Sequence, residues 1–166
     1  DCILEFQHSF ITNEERFSRN NFYKNLVWIV DGLRRKRDKD QFFKALKDGV
    51  QVIASPVLIK IYSDESRLVQ EWKDSNVPVF FDFGEDERIW WLMSFKEDGW
   101  SYVVPFSRQN FIDFHLGKLN TDFATFLNKC VQDYRSLFLQ LERNRQRQQV
   151  VMIPRRYPAR RRSRRL

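Results

Sequence analysis

Cysteine is scarce in this 166-residue chain: Cys2 and Cys130 lie far apart, and neither belongs to a C-x-x-C pair. No second cluster of ligands accompanies either thiol, so a zinc site is not encoded, and a reduced, cytoplasmic setting is expected. No apolar stretch approaches the roughly 20 residues that a membrane-spanning helix needs. Internal repeats are lacking. Asp82-Phe83-Gly84 spells a kinase metal motif, but its glycine-rich loop, catalytic-loop signature and strand lysine are missing, so it reads as a strand end. Acidic residues are absent from Pro154 to Leu166, a segment that carries seven arginines. The formal charge of +7 therefore resides in that tail, and residues 1–153 are balanced.

Aromatic residues are abundant instead: sixteen Phe, five Trp and five Tyr provide ample material for a core. Cys2-Ile3-Leu4-Glu5-Phe6-Gln7 reads as a short strand, with Ile3, Glu5 and Gln7 on one face and Leu4 and Phe6 on the other. Thr12 and Glu15 form a capping box, and a helix from about Asn13 to Lys24 follows, with Arg16, Arg19 and Tyr23 on one side. Leu26 to Val30 is a continuous apolar run closed by Asp31-Gly32, as in a strand buried on both faces. Strand, helix and strand within about thirty residues predict a parallel, right-handed βαβ unit. Glu5 and Gln7 then approach the carboxyl end of the sheet, where α/β proteins place their sites.

Glu5-Phe6-Gln7-His8-Ser9, Ile11, Glu14-Glu15, Arg19, Phe22-Tyr23 and Val27 to Gly32 resemble the competence protein CoiA family. Pro78 to Gly84 and Val104 to Arg108 are similar to that family as well, so the resemblance runs from Cys2 to about Phe111. The family is a nuclease-like branch of the PD-(D/E)XK superfamily. The resemblance implies a restriction-endonuclease-like α/β fold, a βαβ core with an appended antiparallel meander and C-terminal helices. It implies a nuclease dependent on Mg²⁺ or Mn²⁺, acting on DNA. Glu5 and the carbonyl of Phe6 would hold the metal, while Gln7, Arg19 and Tyr23 would serve catalysis. Gln7 stands where the superfamily usually has lysine; an amide does not titrate, so its role would be to bond the attacking water or a phosphate oxygen. The upstream metal-binding aspartate of the superfamily has no counterpart here. Because the chain opens on Asp1 at the edge of this strand, the first helix and two strands of the family core are expected to precede it. Weak metal binding and little cleavage are expected of the chain as it stands.

Each residue also has a structural reading. Glu5 can be a carboxylate paired with Arg16 or Arg19, and Arg19 can pair with Glu15 at i, i+4 rather than clamp a phosphate. His8 should point away from Glu5 and Gln7, and His115 on a Phe-rich helix reads as structural. Arg34-Arg35-Lys36-Arg37, at the exit of the second strand, and Ser9 are candidate nucleic-acid contacts. The alternative is a solvated loop offset by Asp38 and Asp40. If every tail arginine met a duplex phosphate, the salt slope would approach about −6. Anionic lipid, or a solubilising role alone, suits the tail equally.

Further along, Asp40 to Lys47 predicts a short helix with Gly49 at its C′ position, and Ser63-Asp64 caps another running to about Lys73. Val50 to Tyr62, interrupted by Ser55-Pro56, is an edge strand or two pieces. Val77–Phe83, Arg88–Phe95 and Trp100–Val104 predict an antiparallel meander, with Trp90 and Trp91 on opposite faces as packing residues. From Thr121 the spacing becomes helical to about Gln146. The organisation expected is a nuclease-like domain over 1–118, a long helix over 119–149 and a disordered basic tail over 150–166. Two other classes remain: a catalytically inactive nucleic-acid-binding module, and an interaction or membrane-surface protein that uses its tail.

Overall fold

Residues 2–151 are described by a computed structural model, in which the alternating apolar runs fold as a mixed α/β structure. The first half contains β1 (Ile3–Gln7), α1 (Asn13–Phe22), β2 (Leu26–Asp31), α2 (Asp38–Asp48), β3 (Val50–Ile53) and β4 (Leu58–Tyr62). A 3-10 turn (Ser63–Glu65) leads to α3 (Arg67–Trp72), β5 (Val79–Asp82), β6 (Arg88–Glu97), β7 (Trp100–Ser107), α4 (Arg108–His115) and α5 (Phe123–Val151). All seven strands join one sheet in the order β1-β2-β5-β6-β7-β4-β3. β1, β2 and β5 run parallel, and the four remaining pairings are antiparallel. Most of the sheet is therefore antiparallel, and a parallel trio occupies one end.

Strand alternation divides the aromatic residues between two cores. Trp28, Val30, Phe81, Trp90 and Leu92 pack against α2 and α3 through Phe42, Ala45, Leu68, Val69 and Trp72. Val27, Ile29, Phe80, Trp91 and Met93 face the other way, against Phe111 of α4 and Phe123, Leu127 and Tyr134 of α5. The adjacent tryptophans are thus buried on opposite faces, as packing residues. α5 belongs to this second core over its first half rather than standing apart from the strands. Among the described residues no helix is long and apolar enough to cross a membrane.

Local chemistry explains the element ends. Thr12 starts α1 by accepting the Glu15 amide at 3.1 Å, while the Glu15 carboxylate turns to Arg19 instead of closing the capping box. Asp98-Gly99 makes the β6–β7 turn, with Gly99 at φ +73°, which the missing Cβ permits. Val50–Tyr62 resolves into two strands, β3 on the sheet edge and β4 inside it.

Two expectations need correction. Gly49 is extended (φ −73°, ψ 173°), not left-handed; glycine is required because a Cβ would lie 2.8 Å from the Lys60 carbonyl oxygen. Ser66, not Ser63-Asp64, caps α3, because Ser63 is buried and shares a hydrogen bond with Ser101 at 2.8 Å. Arg16, one turn before Arg19 on the same side of α1, lies over the Trp72 ring of α3. Val150 and Val151 complete α5, and the remainder of the expected tail lies outside the described residues.

Phe42 is fully buried and meets Phe81, Phe83 and Trp90. Phe42→Ala is expected to cost about 3–5 kcal/mol in urea unfolding. Phe22→Ala, at a side chain 78% exposed, should stay within about 0.5 kcal/mol.

Candidate functional site

The register of β1 against β2 pairs Glu5 with Trp28 and Gln7 with Val30, so both polar side chains lie on the α1 face of the sheet. Glu5 sits within the strand rather than at its tip. Its side chain is about one-quarter exposed and accepts from Arg19 Nη1 at 3.2 Å. The other arm of Arg19 donates to Glu15 at 2.5 Å, and the guanidinium stands 6.0 Å from the Trp28 ring. The hydrogen bond that Arg19 donates to Glu15 does most to raise the Arg19 pKa; burial opposes it, and the Glu5 charge adds to it. Arg19 thus makes both pairings that the spacing left open, bridging Glu5 and Glu15.

Gln7 is buried, and its amide nitrogen donates to the Ser9 carbonyl at 2.8 Å. Arg34 donates to the same carbonyl at 3.1 Å, so the strand end and the loop after β2 meet at Ser9. The exposed His8 bonds Asp31 at 3.3 Å, and the other Asp31 oxygen accepts the Leu33 amide at 2.8 Å. Asp82, the register partner of Asp31 at the end of β5, is held by both arms of Arg108 and by the Gly84 amide. Partial burial resists ionisation of Asp82, but the bonds from Arg108 and Gly84 and the nearby charge hold its carboxyl below the usual range. The carboxyl ends of the three parallel strands therefore gather Gln7, His8, Asp31, Asp82 and Arg108.

The basic loop is less basic than its sequence. Glu71 of α3 accepts from Arg34, from Arg35 at 2.6 Å and from Arg67 at 3.3 Å, and Asp38 accepts from Arg35 at 2.8 Å. Arg34 is 5% exposed, so it braces the loop instead of meeting solvent. Of the candidate nucleic-acid contacts, Lys36 and Arg37 are exposed and have no ion pair among the described residues. Asp38 is the offsetting acid that the sequence predicted; Asp40 is exposed and makes no ion pair among those residues. Tyr23 caps the far end of α1, its ring edge-on to Phe22 at 4.9 Å, and forms no hydrogen bond to Glu5 or Gln7 among the described side chains. His115 bonds the Phe111 carbonyl at 2.6 Å, in keeping with a structural role.

Sequence reasoning missed Asp82, Arg108 and Glu71. A signal for the first existed, since two apolar strands each end in aspartate, at Asp31 and Asp82. Nothing local marks Arg108 as the partner of Asp82, or Glu71 as the partner of Arg34 and Arg35. Among the described residues no group of three or more His, Cys, Asp or Glu side chains is placed to hold a metal ion. No family model, curated protein or solved structure matches the chain.

Partial burial opposes ionisation of Glu71, yet Arg35, Arg34 and Arg67 hold its carboxyl below the ordinary carboxylate range. A carboxyl whose folded pKa is depressed stabilises the fold above its unfolded value, about 4.3, and loses that contribution as pH falls through the folded value. Glu71→Gln should therefore cost about 1–3 kcal/mol at neutral pH. Urea titrations at decreasing pH should show the gap to wild type closing below about pH 4. A gap independent of pH would contradict the charge network.

Proposed function

We propose that the chain is a nuclease-like protein acting on nucleic-acid phosphodiester bonds, DNA foremost, with the PD-(D/E)XK-like core that the CoiA resemblance implies. The reading rests on Glu5. It is a partly exposed carboxylate on the outermost parallel strand, and its one hydrogen-bond partner among the described residues is a cationic guanidinium. Ile3 turns its amide toward β2, bonding Asn25 at 3.1 Å, so alternation turns the Phe6 backbone to the open edge of β1. Glu5 and the Phe6 carbonyl thus border one another at an unpaired strand edge. Ser9, Lys36 and Arg37 lie toward the carboxyl end of the same strands and suit phosphate oxygens.

These residues do not by themselves fit a divalent cation. A single carboxylate is available, Arg19 already neutralises it, and no cluster of three ligands surrounds it. Mg²⁺ is bound through one or two carboxylates plus waters, so it would have to displace Arg19 for little return. Gln7 is in no position to orient a water through its amide nitrogen, which is spent on Ser9. What the described residues supply is phosphate binding, with Arg19 placed to leave Glu5 for a phosphate oxygen. Binding without cleavage is therefore the second reading, favoured by the Glu5–Arg19–Glu15 bridge. A cytoplasmic location accords with either.

The two readings separate in a cleavage assay on single- and double-stranded DNA with Mg²⁺ or Mn²⁺, using the full chain and Glu5→Ala. Metal-dependent cleavage, however slow, that Glu5→Ala lowers at least tenfold selects the nuclease reading. Cleavage unchanged by the substitution removes Glu5 from the mechanism. Absence of cleavage, with salt-sensitive DNA binding that survives the substitution, selects the binding reading.

A further inference from the structure

At the other end of the sheet from β1, a cavity of about 740 Å³ opens between the second half of α5 and strands β3, β4, β6 and β7. Four aromatic side chains line it, Phe95, Trp100 and Tyr102 from the sheet and Phe138 from α5, beside the aliphatic Val50, Val52 and Leu139, and Lys60 lies 4.6 Å from the Trp100 ring centre. Phe95 and Phe138 both stand edge-on to Tyr102, at 5.7 and 5.9 Å between ring centres. Both acids that reach the cavity are already neutralised. Glu97 accepts from Lys60 at 2.5 Å and from the Tyr102 hydroxyl, and Glu142 accepts from Arg145 at 3.2 Å. Arg135 stands exposed at the rim, with no ion-pair partner among the described residues.

The charge beyond the cavity has one sign. From Arg143 to Leu166 the sequence contains ten arginines and no acid, and Arg143, Arg145 and Arg147 occupy exposed positions on α5. One helix therefore carries an aromatic-walled cavity on its sheet side and leads into a polycationic stretch. Aromatic faces beside a cationic track are the two components of single-strand recognition, since any base can stack while the arginines follow the phosphates. A base held in a duplex cannot enter such a recess.

We propose that this cavity accepts an unpaired nucleobase of a single-stranded polynucleotide whose backbone lies along Arg135 and the basic end of α5. The inference rests on the nucleic-acid part of the reading above and not on Glu5, which lies at the opposite sheet edge. Trp100 and Phe138 would contact the base, and Arg135 the adjoining phosphate.

The test is fluorescence anisotropy with the full chain in metal-free buffer. A labelled fifteen-residue oligothymidylate is compared with an abasic deoxyribose-phosphate oligomer of equal length. The thymidylate should bind roughly tenfold tighter. Trp100→Leu and Phe138→Ala should each shrink that ratio toward unity, whereas Arg135→Glu should weaken both oligomers alike. Glu5→Ala should leave every affinity unchanged, so loss of cleavage and loss of base binding are scored separately. Equal affinity for the two oligomers in wild type overturns the proposal, as does a ratio that survives both aromatic substitutions. Binding to phosphatidylserine vesicles with no preference for the oligomer bearing bases also overturns it. If the aromatic variants lose their thermal transition, the wild-type ratio and Arg135→Glu, at an exposed helical position, decide the matter.

Discussion

The indole nitrogen of Trp28, on the second strand of the sheet, donates to Asn20 at 2.8 Å, and Asn20 in turn donates to Asn76 at 2.9 Å. Trp28 is fully buried, so an unpaired N–H there would cost about 1–3 kcal/mol. The bond fixes the angular setting of α1 over β2, and Asn76 ties the same helix to the segment entering β5. Arg19 precedes Asn20 by one residue; its placement between Glu5, Glu15 and the Trp28 ring follows from that setting. The arrangement of side chains at the edge of β1 thus depends on a core hydrogen bond to the neighbouring residue of the same helix.

A second constraint acts on the basic loop. Four consecutive cationic residues after β2 would repel one another if they shared one surface. Glu71 and Asp38 draw Arg34 and Arg35 inward, where low exposure makes the pairs depend on good hydrogen-bond geometry. The remaining two side chains stay in solvent. A run of positive sequence therefore yields one braced loop and a modest exposed charge, and the longer cationic run of the sequence begins in the last turns of α5.

The mixed sheet separates these two regions in space. Its parallel trio ends in Gln7, Asp31 and Asp82, and the connecting segments bring histidine and arginine to those strand ends. Its antiparallel end is built by hairpins, which need few residues to turn and so leave one face for α5 to cross. Where α5 runs past the strands, it no longer packs continuously against them, and the aromatic cavity is the result. The two regions share the sheet but neither its face nor its edge.

Features set by neighbours in the chain were legible beforehand. Thr12 as a helix start, Leu26 to Val30 as a buried strand, Asp98-Gly99 as a turn and the helical spacing from Phe123 all reflect contacts within a few residues. The pairing of Glu5 with Arg19 was also among the readings, because a strand followed at once by a capped helix leaves few alternatives. The inward turn of Gln7, the clasp of Arg108 on Asp82, the triple use of Glu71 and the close approach at Gly49 were not. Each joins segments brought together by sheet order and helix packing, and no periodicity encodes a partner several elements away. Alternation and capping assign a residue to a face; whether that face meets solvent, an arginine or a neighbouring backbone depends on how the layers close over it.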